Sequence, residues 1–523
     1  MNLHFGIHLS LAGSKLLSEG RSFVVLFALL MSLHSLASTV STPFGTSYQV
    51  NVDASGQNIG GDAANEPSLC IDLTNPNRIA VGWRQFNSIT NNFRQAGWGY
   101  STNGGVNWTF GGTLQTNVFR SDPVLASDAE GRFYFLSLQQ LPFRCDLWRS
   151  TDGGANWQQL GPAAGGDKAW MTIDKTSGPG HGNIYQAWDY ASTSSNHYFS
   201  LSYDGGLTWT NPFIIPQEPY WGTLDVGPEG QVYMLGWDGA QFWLNRATNA
   251  PDRTVLFNFD LTVPVDFGGT LHYFLGYGPN PGGLLGQPWV AVDRSTNQTR
   301  GNVYALFSAG RTTNSCDVTF TRSTNGGVDW SPPQQLNSDP GSNAWHWFGT
   351  LSVAPNGRID ACWHDTRRDS GLDTNHIFSE LYYCYSLDGG FSWATNRAIT
   401  PPFDSLIGWP DQNKIGDYIG MISLDDAACI AYSATFNGEQ DIYFIRVEQP
   451  IFAAISQTGA AISVSWNAVI GKTYCLQYKD SLAAPWPIAT NQICLLATNL
   501  LMTISDPAVP GPAQRFYRVV KQP

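Results

Sequence analysis

Carboxylates, aromatic rings and a few cations recur at matching points of a repeating pattern along this chain. One set comprises Glu66, Asp122, Asp167 with Lys168, Trp221, Gln287, His346, and Asp417 with Tyr418. A second set comprises Arg84, Trp188 with Asp189, Trp237 with Asp238, Arg311, and His364 with Asp365 and Arg367. Paired carboxyl groups can act as general acid and general base, because one raises the pKa of its neighbour. Aromatic faces stack on sugar rings, and carboxylates accept hydrogen bonds from sugar hydroxyls. These residue types therefore point to a glycan. Glu66 and Asp122 are the catalytic candidates among the acids. Arg84, Arg120, Lys168, Asp189, His364, Asp365, Arg367 and Asp417 are the substrate-binding candidates.

The elements that must position these side chains repeat. The octapeptide Ser-x-Asp/Asn-Gly-Gly-x-x-Trp occurs five times, at Ser101–Trp108, Ser150–Trp157, Ser202–Trp209, Ser323–Trp330 and Ser386–Trp393. The copies start 49, 52, 121 and 63 residues apart, so the long gap spans two periods and one unit has lost its octapeptide. Asp or Asn at the third position accepts hydrogen bonds from backbone N–H groups of its own turn. The glycine pair supplies the positive φ of a tight hairpin, and the tryptophan is an apolar wedge.

Before each octapeptide stand two short apolar strands separated by a turn, such as Arg78–Trp83 following Ser68–Asp72. Seven such units start near residues 66, 121, 167, 221, 286, 346 and 417. Units of about 50 residues with four short strands read as propeller blades. The last unit offers three strands, and the segment Ser47–Val52 is expected to supply the fourth and close the ring. The starts of first strands and the ends of second strands then share one face, around the mouth of a central channel. Residues 451–523 break the period and read as short alternating strands. The expected fold class is all-β: a seven-bladed β-propeller over 38–447, with six blades as the alternative count, then a small β-sandwich module over 451–523.

The octapeptides resemble the Asp-boxes of the sialidase superfamily, over residues 47–447, and the C-terminal module is similar to fibronectin type III domains. The resemblance implies a β-propeller that acts on or recognises glycans. Sialidases use a tyrosine nucleophile activated by a glutamate, which makes Tyr418 the third catalytic candidate. Ring closure would bring it within hydrogen-bonding reach of Glu66. Arg84 matches a family arginine. The first-blade arginine is unmatched, since Asn65-Glu66-Pro67 stands in its place, and no carboxylate follows Arg84 where the family has its catalytic aspartate.

Composition narrows the partners. The 523 residues carry a net charge of −13, so a phosphate-tracking surface and nucleic acid are excluded. Charged residues are 13% of the chain and aromatic residues another 13%, which excludes a coiled coil and a disordered chain. Residues 1–37 contain the apolar run Phe23–Met31 behind Arg21 and read as a signal peptide, so secretion is expected, with no membrane span in the mature chain. Export permits disulfides; Cys475–Cys494 is the first expected pair and Cys362–Cys384 the second. No Cys-x-x-Cys occurs, and no metal or cofactor is expected. The partner is a glycan or glycoconjugate and the expected state a monomer. Three functions remain open: a glycoside hydrolase, a non-catalytic glycan- or protein-binding propeller, and a surface-display protein.

Overall fold

The computed structural model describes residues 39–189, 198–339, 343–373, 375–449, and 453–522 apart from 459–460, 470, 482, 485, 487–491, 500 and 507–514. The expected signal peptide lies outside the described residues. Every element among the described residues is a β-strand. Among the described residues, no helix is long and apolar enough to cross a membrane.

Seven antiparallel sheets of four or five strands follow one another along residues 63–113, 120–162, 170–214, 220–265, 289–335, 346–404 and 420–448. Six run in simple chain order. The innermost strands are Ala63–Ile71, Arg120–Ser127, Trp170–Ile173, Tyr220–Val226, Trp289–Val292, His346–Val353 and Gly420–Ser423. Each packs against the innermost strand of the next sheet, and Gly420–Ser423 packs back against Ala63–Ile71. Strands near the centre are covered on both faces; Ala63–Ile71 and its neighbour Ile79–Phe86, for example, are buried throughout. The seventh sheet is completed from the far end of the chain. Gly45–Gln49 pairs antiparallel with Asp441–Glu448, with Tyr48 opposite Phe444, and Thr39–Thr42 adds an outer strand.

The five octapeptides share one hydrogen-bond pattern. In the first, the Gly105 N–H donates to Ser101 Oγ (2.9 Å) and the Asn107 N–H to Asn103 Oδ1 (2.9 Å). In two of the five the tryptophan adds a bond: the Trp108 indole donates to the Gly105 carbonyl (2.9 Å) and Trp330 to that of Gly327 (3.1 Å). The second glycine does more than bend the chain. A Cβ at Gly105 would lie 2.1 Å from the Phe444 ring of the preceding sheet, and one at Gly390 2.4 Å from Phe320. Each turn therefore presses its backbone onto the neighbouring sheet, with the tryptophan alongside: the Trp108 and Phe444 rings are 5.2 Å apart.

Beyond residue 452, two three-stranded antiparallel sheets enclose a small core of Val464, Trp466, Tyr474, Leu476, Met502 and Ile504. Cys475 and Cys494 face each other across two of these strands and form a disulfide. The expected Cys362–Cys384 bridge is absent, and both are free, buried thiols. Their strands pair with Cys362 opposite Tyr383 and Cys384 opposite Ala361, so the two side chains point to opposite faces of the sheet. Lys521 joins the C-terminal sheets to the seventh sheet through Asp426 (3.1 Å) and Glu448.

Candidate functional site

The innermost strands carry a recurrent irregularity. Pairing shifts between Asn65 and Ser68, Ser121 and Val124, Tyr220 and Thr223, and Trp347 and Thr350. A residue with positive φ sits in each shift: Glu66 (54°), Asp122 (49°), Trp221 (53°) and Phe348 (57°). Lys168 (49°) stands just ahead of the third sheet's inner strand. Non-glycine residues in this region cost about 1–3 kcal/mol each, and such bulges serve to re-aim side chains. In the sixth sheet the re-aimed residue is Phe348, two positions beyond the expected His346.

Six charged residues converge: Glu66, Arg84, Asp122, Lys168, Lys414 and Asp417. Arg84 Nε lies 3.0 Å from Glu66 Oε2 and donates to Asn65 Oδ1 at 2.8 Å. Lys168 pairs with Asp417, and Lys414 Nζ lies 2.6 Å from Asp417 Oδ2 and 3.5 Å from Glu66 Oε1. Asp122 accepts from the Lys168 N–H (3.0 Å) and from Ser121 Oγ (2.7 Å). All of these acids are buried. A hairpin across residues 270–285 covers them. Its Leu284 N–H donates to Asp417 Oδ1 (2.9 Å), and Asn280 bonds Gly416 O (2.8 Å) and the Ile415 N–H (2.9 Å). Beneath, Trp170 meets both Tyr418 and Trp289 edge-on, at 5.3 and 5.2 Å.

Within this cluster three atoms lack a hydrogen-bond partner among the described residues: both Glu66 carboxylate oxygens and Arg84 Nη2. Burial raises the Glu66 pKa against the pull of Arg84 and Lys168. Burial would do the same to Asp417 and Asp122, but Lys168 overrides it and holds both low, with Lys414 helping at Asp417 and the Ser121 hydroxyl at Asp122. Asp167 behaves in the opposite way. Burial and the neighbouring Asp122 carboxylate push it up to about 7, so Asp122 and Asp167 form a pair with one ionised and one protonated member near neutrality.

The expected hydrogen bond between Tyr418 and Glu66 does not form. The Tyr418 hydroxyl donates instead to the Pro123 carbonyl (2.9 Å), and burial with the Glu66 charge raises its pKa well above the usual tyrosine value. Arg120 does not join the cluster; its guanidinium is taken up by Asp146 (2.7 Å) and Gln115 and lies over Trp148. His364 is a core residue rather than a ligand contact. Trp347, Phe348 and Phe403 surround it, and burial alone pushes its pKa down to about 3. Asp365 and Arg367 form a separate network with His346. Arg367 Nη2 lies 2.6 Å from Asp365 and 3.3 Å from Asp339, and His346 Nε2 lies 2.9 Å from Asp339. Ligand atoms of Asp339, His346 and Asp365 lie within 4.8 Å of one another. The Arg367 guanidinium already fills the cation's place, and His346, with Nδ1 on the Cys316 carbonyl (2.7 Å), is held toward its charged form by Asp339 and Asp365 against burial. Arg367 also borders a cleft of about 770 Å³ beside Tyr277, Trp345 and Asp369.

Asp189 leads away from the buried cluster. It accepts from the Trp221 indole (2.9 Å). Trp221 lies 5.2 Å from Tyr273 and 6.3 Å from Phe274, ring to ring, and stacks on Trp237 at 6.0 Å. Sequence reasoning missed Lys414 and the hairpin aromatics Tyr273 and Phe274. Lys414 stood three residues ahead of Asp417, a detectable signal. Residues 266–286 carry no strand period, so nothing marked them as a cover.

No protein-family model matches the chain, and no curated protein does. Solved structures with similar folds include a protein of unknown function from Dyadobacter fermentans, 14% identical, covering 78% of this chain and all of that one, with a TM-score of 0.45. The endosialidase of phage phi92 is 9% identical over 79% of this chain and 70% of its own, with a TM-score of 0.42. An α-L-arabinanase from Penicillium chrysogenum is 12% identical over 79% and 98%, with a TM-score of 0.36. No residue role in this chain follows from likeness at this level. The class its own coordinates define is an all-β protein of successive four-stranded antiparallel sheets.

Proposed function

We propose that the seven sheets are the blades of one closed, sialidase-like Asp-box β-propeller, followed by a fibronectin type III-like attachment module, and that this secreted protein recognises a glycan at the mouth where the re-aimed residues meet. Cyclic packing of the inner strands and the N-terminal strand in the seventh sheet support the ring. The observation that carries the ligand class is the incompletely satisfied set at the centre: two Glu66 oxygens held by ion pairs to Arg84 and Lys414 but accepting no hydrogen bond, and Arg84 Nη2, which donates none. A buried group left without a hydrogen bond is unfavourable by about 1–3 kcal/mol, a cost that falls here mainly on Arg84 Nη2. A partner that donates and accepts at once suits them, and a hydroxyl does both.

The test is a glycan array probed with the purified chain and with Glu66→Gln. Binding that the substitution weakens supports the reading; a chain that binds no glycan refutes it. A second reading, hydrolysis, is favoured by Asp167, whose carboxyl keeps a proton near neutral pH and so could serve as a general acid. Fluorogenic glycosides distinguish the two: turnover that Asp167→Asn abolishes marks an enzyme, and binding without turnover marks a lectin-like protein.

A further inference from the structure

The cations of the mouth are already neutralised. Arg84 faces Glu66, Lys168 and Lys414 face Asp417, and both acids are fully buried among them. An anionic sugar entering here would meet the Glu66 carboxylate with only Arg84 Nη2 left to offset it. Beside this closed centre lies a surface of the opposite kind. Phe274 is 55% exposed and Tyr273 38% exposed, on the hairpin that covers the charges. Phe274 also holds a φ of 48°, so a large aromatic residue here bears both backbone strain and water contact. Trp221, in its own strained bulge, supports both rings edge-on, and Asp189 fixes the indole by accepting its N–H. The three rings stand at 72–84° to one another, so Tyr273 and Phe274, partly open to water and braced by Trp221, offer separate faces on which the C–H sides of successive sugar rings can stack, with the Asp189 carboxylate at the edge.

Resting on the glycan reading above, we infer that the ligand is a neutral hexopyranose oligosaccharide, stacked on Tyr273 and Phe274 with Trp221 as their brace, and that sialylated or uronic-acid glycans are excluded. Net charge reinforces the exclusion, because a protein of −13 repels acidic chains at long range.

The experiment measures binding of the full chain to matched neutral, sialylated and uronic-acid oligosaccharides, for the wild type and for Phe274→Ala, Tyr273→Ala and Trp221→Ala. The expected result is binding of neutral hexose oligosaccharides, with acidic counterparts at least about tenfold weaker. Each exposed-ring variant is expected to lose about three- to tenfold in affinity. Phe274 and Tyr273 are exposed, so their variants report on binding even where Trp221→Ala unfolds. Preferential binding of acidic glycans overturns this inference and leaves the glycan reading standing. Neutral glycans bound equally by Phe274→Ala and Tyr273→Ala overturn the platform. Absence of binding to every glycan removes the glycan reading itself and the inference with it.

Discussion

The charged centre and the aromatic platform are neighbours built on opposite terms. The centre holds Glu66, Arg84, Lys168, Lys414 and Asp417 almost wholly away from water, each charge set against another. The platform leaves Tyr273 and Phe274 partly in water, braced on Trp221 rather than enclosed. The contrast teaches that density of ionisable groups is a poor guide to where a ligand touches. Where inner strands of successive sheets pack together they bring charges together whether or not a ligand does, and removing one member of such a buried set is costly. Apolar rings left in solvent have no such internal purpose.

If this contrast holds, substitutions in the two regions part company in stability and binding. The largest effect is expected from Asp417→Asn, which leaves Lys168 and Lys414 facing each other in a buried site. Breaking a buried charge set by removing one partner is destabilising by about 3–5 kcal/mol, read by denaturant unfolding. A loss below about 1 kcal/mol would mean that water reaches the centre. Next comes Trp221→Ala, which removes ring contacts at a partly exposed position; a loss of about 1–2 kcal/mol is expected by the same measurement.

A smaller, pH-dependent effect is expected at Asp167, between the two regions. Its folded pKa lies above the ordinary value of 3.8, at about 7. Its favourable contribution is therefore complete below pH 3.8, declines as pH rises, and is gone above about 7. Melting temperatures across this range should fall less steeply for Asp167→Asn than for the wild type. Equal slopes would remove Asp167 from the set of protonated acids. The smallest stability change belongs to Phe274→Gly. Glycine accepts the φ of 48° without strain, so stability should hold or rise by up to about 1 kcal/mol while saccharide affinity falls. Such a divergence is what separates a binding residue from a structural one.

Much of the architecture was legible because its signals are local. The octapeptides fixed hairpin positions through Ser, Asx and Gly in a strict frame, and the strand pairs around them follow period and turn chemistry. Glu66, Asp122, Lys168, Arg84 and Asp417 were found from their places in the repeat, and the structure brings them together. What escaped depends on contacts distant in sequence. Nothing in residues 266–286 announces that Asn280 will bond Gly416, 136 residues away. The Cys362–Cys384 expectation failed for a subtler reason: a one-residue offset in register turns adjacent side chains to opposite faces, and spacing along the chain does not reveal it. His364 shows the limit of reading a residue type alone, since the aromatic shell that keeps it neutral is assembled from other strands.

The strand Gly45–Gln49 has a consequence for biogenesis. Just beyond it, Asn51 bonds Asp441, 390 positions further along the chain, so this strand leaves the ribosome long before its partner exists. Until synthesis reaches that point, the outer backbone groups of both strands stay unsatisfied, a template for pairing with other chains. The nascent polypeptide is therefore most vulnerable to aggregation late in translation, and a factor that shields its leading end would raise the yield of correctly assembled protein.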